Sequence, residues 1–87
     1  MSYNILFTKS AAKDYKNFNE SIKSQINTVL IKLEKFGTDS PNTKPLTGQF
    51  KGYFRIRTGD YRIVFSLLKE TITIISILNR NVVYKKK

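Results

Sequence analysis

The chain has 87 residues, 40% hydrophobic and 25% charged, which is enough for one small globular domain and too short for two. Sixteen basic residues against six acidic ones give a net charge of +10. Cysteine and histidine are absent, which excludes disulfides, thiolate metal sites and any mechanism that depends on histidine.

The positive charge is concentrated in the second half of the chain. Residues 1–39 carry six basic and four acidic side chains, a net +2, whereas residues 40–87 carry ten and two, a net +8. Such a surface attracts phosphate groups, so nucleic acid is the first partner to consider. The chain shows neither a signal peptide nor an apolar run of about eighteen residues, so we expect a soluble cytoplasmic protein that does not contact a membrane.

The first half predicts one strand and then two helices. Alternating apolar residues predict a short strand over 3–7, and Thr8 or Ser10 is the candidate cap of a first helix. The predicted inner face of that helix is Ala11, Ala12, Tyr15 and Phe18. Asn19 is the candidate cap of a second helix over 20–36, because apolar residues recur there at helical spacing until a glycine.

The second half predicts a loop and then three strands. Prolines and glycines predict a loop over 38–52, and strands are predicted over 53–57, 61–68 and 71–78. The isoleucine-rich last strand is predicted to be central and buried on both faces. The predicted fold class is α+β, with two N-terminal helices packed on one face of a small, mainly antiparallel four-stranded sheet in the order strand-helix-helix-strand-strand-strand.

Arginines recur on the two strands of the predicted hairpin. Because side chains alternate between the faces of a strand, Tyr53, Arg55 and Arg57 share one face, while the apolar residues between them face the core. Arg62 stands on the adjoining strand. Guanidinium groups beside a tyrosine are suited to binding phosphate and bases, which indicates RNA or DNA as the ligand.

Five short motifs follow one another in a characteristic order. They are Ala12-Lys13-Asp14, Lys44-Pro45-Leu46-Thr47-Gly48, Tyr53-Phe54-Arg55-Ile56-Arg57, Gly59-Asp60-Tyr61-Arg62-Ile63-Val64-Phe65 and Asn79-Arg80-Asn81-Val82-Val83-Tyr84. Together they resemble the RelE/ParE superfamily of bacterial toxin-antitoxin toxins over nearly the whole chain. We therefore expect a single RelE-like toxin domain over 1–84 and a basic tail over 85–87.

The resemblance is strongest to the RelE branch, whose members cut messenger RNA in the ribosomal decoding site without a metal or cofactor. It implies that Arg55 lies beside the scissile phosphate and that Arg62 stabilises the transition-state phosphate. It also implies that Arg80 acts at the leaving oxygen and that Tyr84 stacks on or orients the substrate. The expected RNA-binding residues are Lys51, Tyr53, Arg57, Lys85 and Lys86.

The identity of the general base is open at this point. RNA supplies its own nucleophile, the 2′-hydroxyl, so the protein has to orient it, remove its proton, stabilise the phosphate and protonate the leaving oxygen. Several relatives carry a lysine where this chain has Tyr53. The candidates are therefore Tyr84, Lys51 and Tyr53, although a tyrosine with an ordinary pKa of about 10 is only about one part in a thousand ionised at neutral pH.

The resemblance also implies partners and leaves two other functions open. The expected partners are messenger RNA on the ribosome and a cognate antitoxin that neutralises a monomeric toxin within a hetero-oligomeric complex. The first alternative is a ParE-like inhibitor of DNA gyrase that cuts nothing. The second is a catalytically degenerate module that only binds nucleic acid.

Overall fold

The computed structural model describes residues 2–79, which form a five-stranded sheet with two helices packed on one face. The strands are β1 Asn4–Phe7, β2 Thr43–Pro45, β3 Tyr53–Thr58, β4 Tyr61–Leu68 and β5 Thr71–Asn79. The helices are α1 Lys9–Lys16 and α2 Glu20–Phe36, and short 3-10 turns cover Gly37–Asp39 and Gly48–Phe50. Arg80, Tyr84, Lys85 and Lys86 lie outside the described residues, as does the predicted tail over 85–87.

The sheet has the strand order β1-β5-β4-β3-β2. β1 is parallel to β5 and the other pairs are antiparallel, so the prediction of an α+β fold with a mainly antiparallel sheet is confirmed. The prediction of four strands is wrong, because Thr43–Pro45 pairs with β3 inside the segment predicted as a loop. Three residues ending in a proline carry no local strand signal, and they become a strand only where β3 offers a free edge.

Both helices begin where a capping side chain was expected. Thr8, rather than Ser10, caps α1 by accepting a hydrogen bond from the Ala11 N–H, and Asn19 caps α2 by accepting one from the Ile22 N–H. α2 ends at Gly37, which has φ 57° and ψ −133°, a conformation open to glycine alone. Neither helix within the described part of the chain has the length and apolar character needed to cross a membrane.

The core lies between the helices and one face of the sheet. Its largest fully buried side chains are Phe65, Ile26, Leu33, Ile56, Ile63, Ile72 and Ile74. β5 is central, as predicted, since it pairs with β1 on one side and β4 on the other. Its predicted burial on both faces is wrong, because Ile72, Ile74 and Ile77 are buried while the residues between them are only half-buried. Both described helices pack on the same face, which leaves the other face without a helical layer.

Candidate functional site

The arginines lie on the sheet face on which no helix packs within residues 2–79, which we call the open face. Ile56 and Ile63 point into the core beneath the helices, so alternation along the strands places Arg55, Arg57 and Arg62 on the opposite face. The β3–β4 hairpin is anchored on its other face, which packs against the helices. There the ring of Tyr61 packs edge-to-face on the ring of Phe18, with the ring centroids 5.1 Å apart. The structure therefore brings three of the predicted site residues together on one surface.

The three arginines form a compact group, which we call the arginine cluster. Arg57 and Arg62 are direct cross-strand partners, a position in which the Cα atoms of antiparallel strands lie about 4.5 to 5.5 Å apart. Arg55 lies on the same face of β3, two residues before Arg57 and about 6.6 Å from it along the strand. Arginine side chains are long enough for all three guanidinium groups to reach one bound phosphate at this spacing.

Arg62 has the most unusual environment in the cluster. Its Nε atom is buried, and no residue within 2–79 accepts a hydrogen bond from it. A buried donor that lacks an acceptor costs about 1 to 3 kcal/mol. A phosphate oxygen is an acceptor that would satisfy this donor, and a guanidinium group binds phosphate through two parallel N–H groups.

The centre of the open face has an apolar floor. Val64 stands opposite Arg55 and is only 4% exposed, although it lies on the face without helices. Leu78 stands opposite Arg62 on β5 and is half-buried. An apolar floor excludes water, and electrostatic attraction between the arginines and an anion is stronger where water is excluded.

Lys44 joins this surface, although it was not among the predicted site residues. It is exposed on β2 and pairs directly with Arg55, so the two side chains share the open face. A residue in a predicted loop has no assigned face, and three residues are too few for alternation to be recognised. The signal that was available is its place in the Lys44-Pro45-Leu46-Thr47-Gly48 motif.

Tyr53 and Lys51 lie farther from the centre of the cluster. Tyr53 is 38% exposed on the open face, opposite Ser66, and about 13 Å along β3 from Arg57. Lys51 is exposed in the turn before β3, six residues before Arg57 in the sequence.

The described structure ends beside the arginine cluster. Asn79, the last described residue, pairs with Tyr61, next to the pairing of Arg62 with Leu78. Arg80 is the next residue in the sequence. The expected roles of Arg80, Tyr84, Lys85 and Lys86 stay predictions, because these residues lie outside the described part of the chain.

A comparison with protein families supplies the decisive observation. The model of the "ParE toxin of type II toxin-antitoxin system, parDE" matches residues 5–84, which include the whole arginine cluster and all strands and helices of the described structure except Asn4, the first residue of β1. The chain belongs to this toxin family. The resemblance to the RelE/ParE superfamily expected from the sequence motifs is thereby confirmed.

Solved structures of toxins share the fold of this toxin. A chain of the RelBE2 toxin-antitoxin complex from Mycobacterium tuberculosis is 23% identical, with a TM-score of 0.80 over 92% of this chain and 100% of that one. The YoeB dimer from Staphylococcus aureus is 27% identical, with a TM-score of 0.74 over 87% and 94%. The RelB-RelE complex from Methanococcus jannaschii is 26% identical, with a TM-score of 0.70 over 87% and 91%. No curated protein sequence matches the toxin significantly.

Proposed function

We propose that this toxin is a metal-independent endoribonuclease that cuts messenger RNA, on the ribosome, by attack of a ribose 2′-hydroxyl on the adjacent phosphate. The observation that carries the proposal is the buried Nε of Arg62, for which no residue within 2–79 provides an acceptor, on the face it shares with Arg57 and Arg55. Three guanidinium groups around an apolar floor are suited to a phosphate that gains negative charge during the reaction.

In the proposed reaction, the 2′-oxygen forms a bond to phosphorus while the bond from phosphorus to the 5′-oxygen breaks. A base takes the proton of the 2′-hydroxyl, and the leaving 5′-oxygen receives a proton, which gives a 2′,3′-cyclic phosphate and a 5′-hydroxyl. Arg62 stabilises the charge on the pentacoordinate phosphate, and Arg55 holds the same phosphate from β3. Arg80 is assigned to the leaving oxygen by the resemblance to RelE toxins.

We assign the base to Tyr84, one of the three candidates that the sequence leaves open, because the resemblance implies that this residue contacts the substrate. Tyr53 shares the open face and lies about 6.6 Å along β3 from Arg55, but about 13 Å from Arg57, which pairs with Arg62, and Lys51 is farther along the chain. These distances favour a base from another segment over either of them. Arginines near a tyrosine favour its phenolate form, which is the form that can accept the proton.

We also propose that a cognate antitoxin neutralises the toxin in a hetero-oligomeric complex with a monomeric toxin. The chains from Mycobacterium tuberculosis and Methanococcus jannaschii come from complexes with their antitoxins. A net charge of +10 favours an acidic segment as the inhibitory part of that partner. Such a segment would cover the open face and exclude RNA from the arginine cluster.

The experiment compares wild type with Arg62→Ala and with Lys69→Gln after induced expression. Lys69 is exposed in the turn that follows β4, so Lys69→Gln removes one positive charge at the far end of the same strand. Growth arrest and discrete messenger cuts, mapped by primer extension, are expected for wild type and Lys69→Gln. Arg62→Ala is expected to lower the cleavage rate by about 10² to 10³. Cleavage by Arg62→Ala at the wild-type rate would contradict the mechanism.

Inhibition of DNA gyrase is the second candidate function, and the family model favours it because its description names ParE. This function predicts DNA damage signalling without messenger cuts, and inhibition of gyrase supercoiling by the purified toxin. It also predicts no special role for the buried Nε of Arg62. A toxin that neither cuts RNA nor inhibits gyrase, yet binds RNA, would be a degenerate binding module.

A further inference from the structure

A second concave surface lies around the edge of β3 from the arginine cluster. β2 begins only at Thr43, opposite Ile56, so on this side the last residues of β3 border a cavity of about 320 Å³ instead of another strand. We call this cavity the side pocket. The residues that line it are Gln25, Thr28, Val29, Lys32, Pro41, Asn42, Ile56, Arg57, Thr58 and Gly59.

The lining of the side pocket is suited to a negatively charged ligand that also carries hydrogen-bonding groups. Its floor includes the buried side chains of Val29 and Ile56, which are 5% and 2% exposed. Two exposed cations, Lys32 from α2 and Arg57 from β3, stand at its border, and the described lining includes no carboxylate. The size is at the lower end of the range of small-molecule sites, about 300 to 1,000 Å³.

The β3–β4 turn is held close to the pocket by α2. A Cβ added at Gly59 would lie 2.7 Å from Oε1 of Gln25, so the glutamine amide rests directly on the turn. On the opposite wall, Asn42 has a φ of 65°, which is uncommon for a residue other than glycine. The amide side chains of Gln25 and Asn42 therefore belong to segments with a defined backbone conformation. Such preorganised groups favour specific hydrogen bonds to a ligand over nonspecific electrostatic attraction.

Arg57 connects the side pocket with the arginine cluster. It borders the pocket and is also the direct cross-strand partner of Arg62. We propose that the side pocket holds a second nucleotide of the same RNA strand, next to the phosphate bound at Arg62. This inference rests on the proposed function. Lys32 pairs with the phosphate of that nucleotide, Arg57 lies between this phosphate and the one bound at Arg62, and the amides of Gln25 and Asn42 contact the polar edges of the nucleotide.

The test uses Lys32→Glu and its matched control Lys35→Glu. Both lysines are exposed on α2 and both substitutions change the charge equally, but Lys35 does not line the pocket. The probe is a short fluorescent single-stranded RNA carrying 2′-O-methyl groups, which prevent cleavage, and affinity is measured by anisotropy at several salt concentrations. Lys32→Glu is expected to weaken binding about tenfold more than Lys35→Glu and to lower the salt slope by about one.

A dinucleoside monophosphate probe sharpens the test, because its single phosphate cannot pair with Arg62 and with Lys32 at the same time. The Lys32→Glu and Lys35→Glu variants are expected to bind this short probe with equal affinity. Equal losses from both variants on the longer RNA would overturn the proposal, since they would reflect net charge alone. A loss confined to antitoxin binding would also overturn it, because the pocket would then belong to the protein interface.

The outcomes separate this proposal from the proposed function. If Arg62→Ala abolishes messenger cleavage while Lys32→Glu and Lys35→Glu bind RNA with equal affinity, the nuclease assignment holds and the proposal that RNA occupies the side pocket is wrong. If Arg62→Ala still cleaves, the nuclease mechanism is wrong, and the difference between the two lysine variants still decides whether RNA occupies the pocket.

Discussion

Arg57 and Arg62 stand directly opposite each other on β3 and β4, which places two positive charges side by side on the open face. Like charges in this position destabilise a sheet. The same pair provides two guanidinium groups for one anion. A local arrangement that lowers stability is typical of a binding or catalytic surface.

Arg57→Thr is expected to raise the free energy of unfolding by about 0.2 to 1 kcal/mol, because it removes the repulsion and introduces a residue with high strand propensity. The same variant is expected to bind single-stranded RNA more weakly. Urea unfolding followed by circular dichroism measures the first effect and anisotropy the second. Arg57→Lys, which keeps the charge, is expected to stay close to wild type in stability. A fall in stability for Arg57→Thr would show that Arg57 has a structural role.

Tyr84→Phe is expected to lower the rate of messenger cleavage by about 10² to 10⁴, the usual contribution of a general base. Tyr53→Phe is the matched control, because it removes one hydroxyl from the open face about 13 Å along β3 from Arg57. Rates are compared in a reconstituted translation system at saturating RNA. A larger loss for Tyr53→Phe than for Tyr84→Phe would transfer the assignment of the base to Tyr53.

Gly37→Ala is expected to destabilise the toxin more than Gly48→Ala does. Both glycines have positive φ, 57° and 66°, so an alanine is strained at either position. At Gly37 the added Cβ would also lie 2.7 Å from the ring of Tyr3, whereas nothing lies within 4 Å at Gly48. The difference between the variants is expected to be about 1 to 3 kcal/mol in urea unfolding. Equal losses would mean that the Tyr3 ring moves aside freely.

Thr8→Ala is expected to lower the free energy of unfolding by about 1 to 3 kcal/mol. The Thr8 hydroxyl accepts a hydrogen bond from the Ala11 N–H, at 3.1 Å, and donates one to the Ile75 carbonyl, at 3.0 Å. It therefore caps α1 and ties that helix to β5. Thr8→Ser keeps both bonds and is expected to lose less than half as much. A small effect of Thr8→Ala, equal to that of Thr8→Ser, would show that water replaces the hydroxyl.

Elements with strong local signals were predicted closely. Asn19 was predicted to cap a helix over 20–36 and does so, and the strand predicted over 61–68 has the same bounds in the structure. Capping, helical periodicity and a glycine stop act within a few residues, so they can be read from one segment alone. β2 could not be predicted in the same way, because its only support is the ladder that it forms with β3.

Alternation along a single strand was enough to place Arg55 and Arg57 together on one face, because the direction of a side chain depends only on its own backbone. The tertiary structure alone decided that Arg62 stands opposite Arg57, that Lys44 stands beside Arg55, and that Lys32 reaches the same edge from α2. These neighbours come from separate segments. Their positions depend on strand register and on helix packing, which are set by the whole core and by no single stretch of residues.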